Sequence, residues 1–167
     1  MCETAGSGNN TPPPLVLLSA YNGDWEKYID AVYQCYIAEV VRGNLVYNGL
    51  PIRCQFRPVT KGKHFAFWHI ISEGEEEDDR TPDFSRCERI KWISWVLKNA
   101  GSNVKISCWE NRRGSNKNIV LWYEEGDFAV ILSKRSGYLL LKTAYCVSPH
   151  RKLVFRRERD EYMAING

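Results

Sequence analysis

Between Asn103 and Val147 four apolar runs, "NVKISCW", "NIVLWY", "FAVILS" and "GYLLLKTAYCV", follow one another with only the short polar connections "ENRRGSNK", "EEGD" and "KRSG" between them. Connections this short join antiparallel neighbours, because a parallel crossover needs a dozen or more residues. The second half of the chain therefore reads as an antiparallel meander.

The first half is mixed. "YNGDWEKYIDAVYQCYIAEVVRG" places Trp25, Tyr28, Ile29, Val32, Tyr36 and Val40 at helical spacing, with Asn22 as cap, Asp24 and Glu26 at the positive end and Gly43 as stop. "NLVYNGLPIRCQFRPV" carries an Asn48-Gly49 turn, then Ile52, Cys54 and Phe56 alternate on one face. "KHFAFWHIIS" reads as a strand with Phe65, Phe67, His69 and Ile71 on one side. The acidic "EGEEEDDR" reads as a solvated loop. "TPDFSRCERIKWISWVLKNAG" reads as a second helix, capped by Thr81, with Pro82 in its first turn and Gly101 beyond its end. The closing "RKLVFRRERDEYMAI" reads as a last helical piece. Residues 1–14, small, polar and proline-rich, read as a disordered tail, and 15–167 as a single domain. The expected class is α+β, with N-terminal helices packed on a small antiparallel β-sheet.

Charge is unevenly spread. Residues 1–80 hold 7 Lys/Arg against 11 Asp/Glu, a net −4; residues 81–167 hold 16 against 9, a net +7. The basic half can attract a polyanion. Six scattered cysteines form no metal-spaced cluster, so reduced thiols, no cofactor and a cytoplasmic setting are expected. No apolar run reaches the ~20 residues of a membrane-spanning helix, and no membrane partner is expected.

Three features carry possible chemistry. On the second helix Arg86 and Arg89 continue the arc of Ile90, Ile93, Val96 and Leu97, roughly 120° wide. Two guanidiniums on a core-facing stripe suit a phosphate, whose oxygens match their fork geometry, or else salt bridges to Glu88 or Glu110. His69 lies near the end of an apolar run, on the face of Phe65 and Phe67. It is either a hydrogen-bonded core residue or a group able to move protons near neutral pH. Alternation on "LLLKTAYCV" puts Leu139, Leu141, Thr143 and Tyr145 on one face, so two hydroxyls close that strand, or two good strand formers do. His64 and Lys142 can contact a phosphate, and an aromatic such as Trp92 can stack a base or sit in the core.

The order "FWHI … RCERIKWI … IVLWY … FAVIL … YLLLKTAY", over roughly Leu45 to Tyr145, resembles the prophage-type branch of the barnase–EndoU–colicin–RelE (BECR) ribonucleases. That resemblance implies a barnase/RelE-like fold and a metal-independent endoribonuclease, a toxin or prophage-associated RNase acting by 2′-OH transesterification. It implies His69, Arg86, Arg89, Thr143 and Tyr145 as catalytic residues, with His64, Lys142 and Trp92 at the substrate. RNA is the implied substrate and a protein antitoxin an implied partner. The alternative is a phage or prophage accessory protein of the same fold that binds RNA or protein without catalysis.

Overall fold

The computed structural model describes residues 10–167 except 75, 77 and 78. Helix α1 (Trp25–Tyr36) is capped by Asp24, whose side chain accepts from the Lys27 amide, rather than by Asn22. Asn22 instead takes a left-handed conformation (φ 53°) that ends a short 3-10 turn, Leu18–Tyr21. α1 runs into a π turn, Ile37–Val41, and stops at Gly43, where a Cβ would lie 2.1 Å from the Glu39 carbonyl oxygen. The Asn48-Gly49 turn joins β1 (Val46–Tyr47) to β2 (Leu50–Arg53), both turn residues at positive φ as such a turn requires.

The expected strand over "FAFWHII" is a helix, α2 (Phe65–Ile71). Apart from His69 the run is apolar, so either period fits it, and burial decides. Ala66, Phe67, Ile70 and Ile71 are the buried positions, a helical and not a two-residue spacing. The expected second helix also differs. Thr81 and Pro82 form β4 (Thr81–Pro82), paired with β3 (Ser72–Glu73). Asp83 is the actual cap of α3 (Phe84–Glu88), accepting from the Ser85 and Arg86 amides, and α4 (Trp92–Asn99) follows after a break. The acidic loop lies partly outside the described residues, as do residues 1–9 of the expected tail; Pro13 is held by Trp92 through its carbonyl.

The meander is present as β5 (Ile106–Arg113), β6 (Asn116–Tyr123), β7 (Phe128–Lys134) and β8 (Leu139–Cys146), followed by α5 (Pro149–Asn166). The expected small antiparallel sheet beneath N-terminal helices is corrected on three counts. The sheet has six strands, ordered β1-β2-β8-β7-β6-β5, and curls into a half-barrel. It is mixed, since β2 pairs with β8 in parallel, Ile52 beside Leu139 and Arg53 beside Leu140. It is also covered on both faces. Ile119, Leu121, Tyr123, Val130 and Leu132 join the core built with α1, α2 and α4. Trp109, Val120, Trp122, Ala129 and Ile131 pack with Phe155 of α5. Double burial is why "IVLWY" and "FAVIL" are apolar without interruption. Among the described residues no helix is long and apolar enough to cross a membrane.

Candidate functional site around His69

Helix α2 is short, and its ends need partners for the backbone groups that a helix leaves unpaired. At its start the Phe65 and Ala66 amides donate to the carbonyls of Phe56 and Gln55 (3.1 and 2.9 Å). At its end two arginines do the work. Arg80 donates to the carbonyls of His69 (2.7 Å), Gly74 (2.8 Å) and Ser72. Arg86 donates to Ser72 (2.7 Å) and Ile70 (3.4 Å), with Asp83 at 3.8 Å. A cationic fork beside a helix C-terminus also favours the negative end of the helix dipole.

This placement holds His69 in the last turn of α2, its ring stacked on Phe65 one turn earlier (5.7 Å, 26° between planes). Phe65 and His69 form a ridge between two depressions. The larger, about 530 Å³, is lined by Pro58, Thr60, Lys61, Trp68, Ser72, Arg80 and Pro82 as well as the ridge. Trp68 is fixed there by an indole N–H donated to the Thr60 carbonyl (2.8 Å). The smaller, about 210 Å³, adds Gln55, Arg135, Leu140 and Lys142. An imidazole thus stands between Lys61 and Arg80 on one side and Arg135 and Lys142 on the other.

Lys142 reaches that position through an irregularity in β8. Ile131 pairs with Thr143 but its neighbour Leu132 pairs with Leu141, so Lys142 is an extra residue in the ladder. The bulge also inverts the alternation beyond it. Leu139 and Leu141 face the N-terminal helices, as does Ala144, whereas Tyr145 packs on the α5 side. The expected common face of Leu139, Leu141, Thr143 and Tyr145 is therefore split. Thr143, opposite Ile131, and Tyr145, opposite Ala129, share the face turned toward α5.

The remaining sequence candidates are placed as follows. Arg86 lies with its guanidinium 5.8 Å from the Tyr145 ring centroid, and burial pushes that phenol above its ordinary value despite nearby arginines. Arg89 donates to the Ser85 carbonyl (3.1 Å), sits 3.6 Å from Glu88 and lies over the Trp92 ring at 5.1 Å. Trp92 is buried, edge-on to Tyr123 and Phe128. His64 precedes α2, stacked on Phe56 (4.2 Å) with Nδ1 3.4 Å from the Tyr36 hydroxyl, and burial lowers its pKa. His69 and Lys142 are thus brought to one depression; Arg86, Arg89, Thr143, Tyr145, His64 and Trp92 do not line either one. Sequence reasoning passed over Lys61, Arg80 and Arg135 as cleft residues. The only signal available for Arg80 was its position closing an acidic run.

The described thiols Cys35, Cys54, Cys87, Cys108 and Cys146 are free, and burial pushes each above its ordinary pKa, which leaves them poor nucleophiles. Comparison with protein families, with curated proteins and with solved structures finds no match to the chain.

Proposed function

We propose that the protein is an endoribonuclease acting without a metal at the His69 ridge, the activity that the resemblance to prophage-type ribonucleases implies. The observation that carries this reading is the sharing of His69 by two cation-lined depressions. An RNA strand laid across the ridge would meet Phe65 and Trp68, on which unstacked bases can rest, and cations on either side for its phosphates. His69 takes the proton of a 2′-hydroxyl, O2′ attacks the adjacent phosphorus, and the P–O5′ bond breaks. The products are a 2′,3′-cyclic phosphate and a 5′-hydroxyl. The charge gathering on the phosphorane falls beside Lys142 and Arg135, and the Lys142 ammonium supplies the proton for the leaving 5′-oxygen. Arg86 has another part in this scheme: it fixes the end of α2 and so the position of His69. A reducing cytoplasmic setting agrees with free thiols at all five described cysteines, and a toxic RNase of this kind would be held in check by an acidic protein covering the ridge.

A second reading, a non-catalytic RNA-binding module, is favoured by Arg86 being engaged with the Ile70 and Ser72 carbonyls at the end of α2 instead of facing a depression. One experiment separates them. Purified protein is incubated with RNA in EDTA, and the ends of any fragments are identified. The nuclease reading expects cyclic-phosphate ends, a rate reduced at least ~10²-fold by His69→Ala, and unchanged RNA affinity in that variant. RNA that is bound yet stays intact leaves the binding module, and cleavage that requires a divalent ion rejects the proposed chemistry.

A further inference from the structure

The β5–β6 hairpin places Arg112 directly opposite Lys117. Side chains so paired have Cβ atoms about 5 Å apart, and like charges there disfavour the hairpin. Among the described residues neither cation has an acidic side chain within ion-pair distance, although neighbouring Arg113 contacts Glu158 at 3.5 Å. The register extends this pair. Asn118 faces Ser133 across β6 and β7, so Lys117 and Lys134 are the next residues outward on adjoining strands. Residues paired across a sheet share a face, and here it is the face of Ile119, Leu132 and Leu139, on which the N-terminal helices and His69 also lie. Strands are about 4.8 Å apart, so Arg112, Lys117 and Lys134 cross roughly 10 Å of sheet in a row. Glu110 pairs with Lys134 and offsets one of the three charges. Arg135, next along the chain, lines the small depression beside His69.

We propose that Arg112 and Lys117, with Lys134 and Arg135 at the adjoining β7–β8 tip, form a rail for the phosphates of RNA running away from the His69 ridge. The inference rests on the RNA reading above and adds its extent: the substrate is a strand of several nucleotides, not a dinucleotide. An uncompensated cation pair on neighbouring strands is unfavourable in the free protein and is relieved when a polyanion lies across it. Single-stranded RNA fits better than a rigid compact anion, since the row leads by way of Arg135 to the ridge and its ring faces.

The test is fluorescence anisotropy of a labelled single-stranded RNA of about a dozen nucleotides, at several salt concentrations. Removing both charges (Arg112→Gln with Lys117→Gln) should weaken binding about tenfold at low salt. It should also reduce the slope of log affinity on log salt by about 1.4, two phosphate contacts at ~0.7 each. Turnover or binding of a dinucleotide, too short to reach the rail, should be unchanged. Lys117→Glu, which puts a carboxylate opposite Arg112, should weaken RNA binding while leaving the melting temperature equal or higher, so lost binding is not lost folding. An unchanged slope, or an equal loss for the dinucleotide, overturns the rail. If the slope changes as expected but RNA is never cut, the rail stands and the nuclease reading alone fails.

Discussion

His64 shows how a single ring can be structural although its residue type invites a catalytic role. It lies between Phe56 and the edges of Tyr33 and Tyr36, and its Nδ1 meets the Tyr36 hydroxyl at 3.4 Å. Desolvation in that setting disfavours the imidazolium and depresses the folded-state pKa below the ordinary 6.5. The folded chain therefore binds fewer protons at this site than the unfolded chain. The contribution is fully present above about pH 6.5 and is lost as pH falls through the lower folded-state value. Urea unfolding across pH 5–7 should show stability declining toward the acid side. His64→Phe, which keeps a ring against Phe56 but cannot titrate, should flatten part of that decline. An identical pH slope in the variant assigns the proton uptake elsewhere.

At the scale of elements, α2 is where sequence and structure part most, and its ends show why. Six apolar residues around a single histidine satisfy both periods, so nothing within "FAFWHII" separates helix from strand. Partners far along the chain settle the matter: the 55–56 backbone at the start, Arg80 and Arg86 at the end. For the same reason Arg86 was legible as a core-facing cation but not in its role, because its acceptors, the Ile70 and Ser72 carbonyls, come within its reach only once α2 is helical and ends there. The strands β5 to β8 were legible, since each run and turn is local. The bulge at Lys142 was not; an extra residue in a ladder has no mark in a run of strand-forming residues, and it moves Thr143 and Tyr145 to the opposite face. Hydrogen bonds from a charged donor contribute about 1.5–3 kcal/mol each, and unsatisfied carbonyls at a partly buried helix end add to the loss. Arg86→Ala should then destabilise the fold by about 2–3 kcal/mol in urea unfolding. Arg86→Lys, a point charge without the fork, should recover only part of it. A variant of full stability with impaired cleavage would place Arg86 at the reaction instead.

The molecule as a whole depends on a sheet whose two faces are closed by helices of very different character. The N-terminal helices bury many side chains; α5 buries one, Phe155, edge-on to Trp109 (5.2 Å) and Trp122 (5.5 Å). Around it lie ion pairs: Glu124 with Arg156 and Arg159, Lys152 with Asp127, and Glu158 with Arg113. Burial alone would raise the Glu124 carboxyl, but hydrogen bonds from the two arginines outweigh it and hold it below its usual range. Its contribution is present above the ordinary carboxylate pKa and is lost as pH falls through the lowered one. Magnitudes rank the two kinds of contact. Exposed pairs are worth about 0.2–1 kcal/mol each and weaken with salt, whereas truncating a buried phenylalanine costs about 3–5 kcal/mol. Phe155 should therefore dominate the docking of α5. Phe155→Ala should red-shift the emission of Trp109 and Trp122, promote binding of a hydrophobic dye and lower stability by several kcal/mol. Raising the salt concentration, or Glu124→Gln, should move the same readouts far less. The reverse order, with salt releasing the indoles and Phe155→Ala leaving them shielded, would mean that charge and not the aromatic plug closes this face of the sheet.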